Sequence, residues 1–185
     1  MRSISKTLLA VLVGLAGALA AVNPAGASSS PPQELGGLDL GAYCRSLASA
    51  DAVLTGSTAY DWHCVDADGR RGDLTFEAAC RWTYATGSAV DRIGDFRDPT
   101  SVRCWRVAPD TVAPDFESYC TSKGHSAAAL LGSTVYDWRC VNYSRGGPTY
   151  FSVDVLAVCR KTTARDATVE RFVNYYDART WQCRV

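Results

Sequence analysis

A nine-residue stretch occurs twice in this chain. Ser57-Thr58-Ala59-Tyr60-Asp61-Trp62-His63-Cys64-Val65 returns as Ser133-Thr134-Val135-Tyr136-Asp137-Trp138-Arg139-Cys140-Val141, and four of the eight cysteines accompany each occurrence. The interval from Cys44 to Cys64 equals that from Cys120 to Cys140, and the interval from Cys80 to Cys104 equals that from Cys159 to Cys183. Only the interval between these pairs differs, by three residues. A disulfide tolerates a narrow range of Cα separations and torsions, so spacing held twice implies geometry held twice. The expected fold is α+β: two tandem homologous disulfide-stapled modules, each with short helices packed on a small antiparallel sheet.

Residues 1–27 read as a secretory signal, with Arg2 and Lys6 before the apolar run Leu8 to Val22 and Ala25-Gly26-Ala27 as a cleavage site. The expected localisation is therefore secreted, from a bacterium to judge by the excess of arginine over lysine. No later apolar run is long enough to span a membrane. Without the signal, 17 basic side chains face 19 acidic ones, about −2 overall, which provides no basic field for nucleic acid. An even cysteine count in an exported chain reads as a disulfide framework. With no Cys-x-x-Cys and no repeated histidine, neither a metal nor another cofactor is expected.

Residues 28–37 form a polar, Ser/Pro-rich lead-in, expected to be flexible. Module one spans 38–107, a two-proline linker 108–114, and module two 115–185. Short helical turns are expected over Leu40 to Leu47 and Phe116 to Lys123, with Gly124 ending the second. Thr58 to Val65 alternates as a strand, with Tyr60, Trp62 and Cys64 on one face and Asp61 and His63 on the other. Polar loops follow at 66–73 and 142–149. Thr75 and Ser152 are candidate N-caps of helices reaching Tyr84 and Thr162. A further helical segment would carry Val90, Ile93 and Phe96, matched by Val169, Phe172 and Tyr175, before last strands at Ser101 to Val107 and Thr180 to Val185. Two pairings of the cysteines stay open: Cys44–Cys64 with Cys80–Cys104, repeated as Cys120–Cys140 with Cys159–Cys183, or the nested Cys44–Cys104 with Cys64–Cys80.

The chemistry-bearing residues point to binding rather than catalysis. His63 is matched by Arg139 and His125 by Ser49, so a histidine-dependent triad would have to exist on one half only, and no catalytic residue is assigned. Asp98 and Asp177 read as turn initiators, and Asp66-Ala67-Asp68-Gly69 departs from a calcium loop at Arg71. Trp62 and Trp138, two residues before a half-cystine, either pack on the disulfides or form sugar platforms with Asp61 and Asp137 supplying acceptors. Trp181, which aligns with Val102, is expected in the core. The loop arginines Arg70, Arg71 and Arg145 suit a rigid protein-binding loop, as in a protease inhibitor. The expected partner is an extracellular glycan or a secreted protein.

Asp39 to Cys44 (Asp-Leu-Gly-Ala-Tyr-Cys), Ala59 to Val65, Ala79 to Tyr84 (Ala-Cys-Arg-Trp-Thr-Tyr) and Asp98 to Trp105 (Asp-Pro-Thr-Ser-Val-Arg-Cys-Trp) resemble a four-cysteine extracellular module of actinobacterial-type secreted proteins. The second copy is looser, with Lys161 for Trp82 and Ala178 for Pro99. The resemblance implies an exported, duplicated scaffold and carries no activity. In plan the chain is also similar to cyanovirin-type lectins, whose duplicated units are shorter and hold one bridge each.

Overall fold

Each half of the chain is built around two disulfides, in a computed structural model that describes residues 30–185. The signal segment lies outside the described residues. The bridges are Cys44–Cys64, Cys80–Cys104, Cys120–Cys140 and Cys159–Cys183, and the nested pairing is not used. Each closes a loop long enough to contribute about 3 kcal/mol by restricting the unfolded chain.

The N-terminal half runs β1 (Gln33–Gly36), α1 (Leu40–Ser46), β2 (Asp51–Leu54), β3 (Trp62–Val65), β4 (Arg71–Gly72), α2 (Phe76–Thr83), β5 (Ala89–Ile93) and β6 (Val102–Arg106). The C-terminal half follows with β7 (Thr111–Val112), α3 (Phe116–Ser122), β8 (Ala127–Leu130), β9 (Trp138–Ser144), β10 (Gly147–Ser152), α4 (Val155–Thr163), β11 (Val169–Phe172) and β12 (Trp181–Arg184). The strands form four antiparallel three-stranded sheets, β1-β6-β5 and β2-β3-β4 in the first half, β7-β12-β11 and β8-β9-β10 in the second. The same element order and strand order thus occur in both halves. In each, one bridge ties the first helix to the central strand of one sheet, and the other ties the second helix to the central strand of the other.

Several local expectations are corrected. The lead-in, expected to be flexible, supplies an edge strand, β1 on β6, and so does the two-proline linker, β7 on β12. Residues 142–149 are not a loop but most of the β9–β10 hairpin, which turns at Arg145-Gly146. Thr58 to Val65 is not one strand: Ala59–Asp61 is a turn of 3-10 helix, and extension begins at Trp62. The segments around Val90 and Val169 are strands, not helices. Asp154, not Ser152, caps α4, accepting from the Ala157 N–H at 3.2 Å, and Thr75 caps α2 without a side-chain bond. Asp39 and Asp115 cap α1 and α3, each accepting at 2.8 Å from the residue three ahead.

The halves share one core. Ala59, Phe76, Ile93 and Phe96 pack in the same apolar cluster as Phe116, Val135, Val158, Phe172 and Trp181. Trp181 is buried, as expected, and its indole N–H donates to the Val135 carbonyl at 2.8 Å. The contacts across the junction are reciprocal. Arg171 binds Asp91 at 2.8 Å, and Arg92 binds Glu170. Asp91-Arg92 of one half and Glu170-Arg171 of the other occupy equivalent places, so acid meets base twice, as at a two-fold interface. Phe96 and its counterpart Tyr175 stack at 3.7 Å between centroids. The Tyr60 hydroxyl accepts from the Tyr175 N–H at 3.0 Å, while the Phe96 backbone bonds to Tyr136.

Candidate functional site

The repeated Tyr-Asp-Trp sequence builds a corner. The Asp61 carboxylate accepts from the Thr58 N–H at 2.8 Å and the Thr58 hydroxyl at 2.7 Å; Asp137 does the same with Thr134, at 2.8 Å each. These hydroxyl and backbone donors hold both carboxyls below the ordinary aspartate range. Gly56 and Gly132 lie against the two carboxylates, where a Cβ would collide. The corner ends the 3-10 turn and aims the following tryptophan. The Trp62 indole N–H donates to the Pro99 carbonyl at 2.9 Å, and that of Trp138 to the Ala178 carbonyl at 2.8 Å. Asp61 and Asp137 therefore serve the corner directly and the tryptophan indirectly.

Both tryptophans are half-buried and border a groove. The groove of the first half, about 610 Å³, is lined by Gly37, Leu40, Ala52, Trp62, Pro99 and Thr100 among others. That of the second half, about 490 Å³, is lined at the equivalent places by Ala113, Phe116, Ala128, Trp138, Ala178 and Arg179. The same concavity recurs with changed walls. Phe116 stacks on the Trp138 ring at 4.3 Å, whereas its counterpart Leu40, which lines the first groove with Trp62, has no ring to stack. Thr100 gives way to Arg179. The first groove thus offers an aromatic edge with small and hydroxyl-bearing neighbours and Arg103 in its wall, the second a filled aromatic wall with Arg179.

A third concavity, about 520 Å³, lies on the other side of Trp62 and Phe76, at the junction of the halves, and His63, Glu77, Asp91 and Arg171 line it. Burial pushes the Asp91 carboxyl up, against the pull of Arg171. Arg171 also reaches Glu77 at 2.9 Å and Gln182 at 3.2 Å. Both carboxylates are thus engaged by one guanidinium, an arrangement that secures the junction and differs from an acid and a base held apart for catalysis. Among the described residues no group of three His, Cys, Asp or Glu side chains could hold a metal ion.

The other candidates are dispersed. Arg70 is exposed at the end of a tight loop that Asp66 organises, accepting from the Arg70 N–H at 2.8 Å; Arg71, expected on that loop, is exposed on strand β4; and Arg145 is exposed at the β9–β10 turn. Asp98 and Asp177 are turn residues, each accepting from the backbone two residues on. His125 bonds Asn142 at 3.2 Å and packs on Phe151. The groove walls Thr100 and Arg179 and the junction quartet were missed by sequence reasoning. The quartet left a trace, since an acid followed by arginine recurs within Val90-Asp91-Arg92-Ile93 and Val169-Glu170-Arg171-Phe172. A scan against protein-family models, a search of curated proteins and a search of solved structures each return no match. Among the described residues four disulfides are present, which fits an extracellular protein, and no helix is long and apolar enough to cross a membrane.

Proposed function

We propose that the chain is a secreted, non-enzymatic binding protein made by duplication of one four-cysteine module, and that its ligand is a carbohydrate or cell-wall polymer held in the tryptophan-bordered grooves. The observation that carries this reading is the recurrence of one concavity at equivalent places of both halves, each beside an indole oriented by the same corner. Indole edges and faces suit the apolar patches of a pyranose, and nearby hydroxyl, carbonyl and carboxylate groups suit its hydroxyls. Two weak sites on one chain gain avidity on a repetitive polymer. The first groove is the stronger of the two, because Phe116 already covers a face of Trp138.

Gly37 supplies the test. A Cβ built there meets nothing within 4 Å, so Gly37→Trp fills the first groove without disturbing the fold, and Ala113→Trp is its partner in the second. The oxidised protein is expected to be retained on wall polysaccharide and released by soluble sugar, with retention falling about tenfold or more in Gly37→Trp and less in Ala113→Trp. Retention unchanged in the double variant rejects the grooves as the site. The exposed loop arginines support a second reading, a protein-binding module such as an inhibitor or adaptor; capture of a secreted protein that is lost on Arg70→Ala, Arg71→Ala or Arg145→Ala favours it.

A further inference from the structure

The surfaces that meet between the halves are self-complementary. Asp91-Arg92 and Glu170-Arg171 are equivalent pairs, and Arg171 binds Asp91 at 2.8 Å while Arg92 binds Glu170. Phe96 stacks on its own counterpart, Tyr175, and Val90 is buried in one cluster with its counterpart Val169. Each half therefore presents on one face an acid, the base that would match it, and apolar side chains that pack on their own equivalents. Such a face fits a copy of itself, as isologous interfaces do.

Little else holds the halves together. Among the described residues every strand pairs within its own half, and every disulfide closes there too. The ladders and bridges of a half therefore stay intact when it leaves the junction. The hinge is a single residue. The Val107 N–H donates to the Ser88 carbonyl of the first half at 3.1 Å, and the next N–H along the chain, that of Ala108, donates to the Val185 carbonyl of the second half at 2.6 Å. Arg184 also binds the Ala108 carbonyl, at 3.2 Å, and Pro109 favours an extended Ala108. Val107 thus lies between a peptide group fixed to one half and a peptide group fixed to the other, and rotation about its two backbone bonds parts the halves without breaking either hold. A hinge this short is the setting in which domains exchange between chains.

We infer that the junction face of each half is a docking surface for the opposite half of a second copy of this chain, so that two chains exchange halves into a dimer with two junctions. Every contact of the monomer's junction recurs in both. The two forms differ in the dihedrals of Val107 and in the concentration at which the partner half is presented, so the dimer gains as protein concentration rises.

Charge reversal tests this on the full chain, exported and oxidised. Asp91→Lys sets the introduced lysine against Arg171, and Arg171→Glu sets the introduced glutamate against Asp91, so each variant opposes closure of its own junction. In a mixed dimer the lysine meets the glutamate at one junction and Asp91 meets Arg171 at the other. The two variants are combined in mild denaturant, the denaturant is removed, and the products are weighed by native mass spectrometry. Mixed dimer is expected at about tenfold or more the amount of dimer that either variant forms alone, since like charges facing each other at an interface are costly. A mixture that contains only the products of the separate variants overturns the inference. If a variant does not fold, parent chains of ordinary and isotopically heavy mass, refolded together at millimolar concentration with their bridges intact, carry the test. A mixed-mass dimer that survives dilution supports exchange, because its release requires the shared core to open; monomer alone, or a dimer that parts at once on dilution, overturns it.

Discussion

At the scale of single residues, the corner formed by Asp61 and Asp137 carries a dependence on pH. Both carboxyls sit below their ordinary 3.8 in the folded chain because the threonine hydroxyl and N–H bond the ionised form. A depressed folded value means stabilisation that is complete above the unfolded value and lost as pH falls through the folded one. Asp61→Asn with Asp137→Asn keeps an acceptor and removes the titration, so thermal melts taken from pH 7 downward should show a flatter acid limb. An acid limb identical to the parent's would reject this account. The repeat of Tyr-Asp-Trp was legible in the sequence, but its strand-like alternation was misleading. Asp61 three residues after Thr58 also spells a capping box, and the side-chain bonds available to that pair outweigh the extended pattern.

Among the elements, the helix ends differ in how well their residues suit them. Gly124 follows α3 with φ 86°, where glycine costs little, as expected from the sequence. Ala164 ends α4 with φ 52°, a region alanine enters at a cost of about 1 kcal/mol. Ala164→Gly should therefore raise stability by about 0.5 kcal/mol after the loss of unfolded-state entropy is counted, and Gly124→Ala should lower it by about 1 kcal/mol, both read from denaturant midpoints. Strands β5 and β11 escaped sequence reasoning for a related reason. Ala89, Val90, Asp91 and Ile93 are all buried, because β5 packs on α2 and on the other half as well, and a strand covered on both faces loses its alternation. Edge strands β1 and β7 escaped because they owe their extension to a partner strand rather than to any pattern of their own.

For the whole molecule, the junction rests on charges that are out of water. Arg171 and Asp91 each expose 7% of their side chains, and Glu77 shares the same guanidinium. Removing one partner of a buried pair leaves an uncompensated charge, so Arg171→Leu should cost about 3–5 kcal/mol, whereas Asp91→Leu with Arg171→Leu should recover most of it. A loss in the double variant equal to the sum of the two single losses would show that the pair contributes nothing. Cysteine spacing made the disulfide framework and the twofold use of one plan readable, because those are local and periodic. The shared core was not readable: nothing in the linker's prolines says that Phe96 will stack on Tyr175 or that Arg92 will meet Glu170. Every bridge also closes within its own half, so the backbone between Val107 and Thr111 is the one covalent tie between them. A single protease cut there would leave two fragments of separate mass that migrate together until detergent parts them, with no reductant needed.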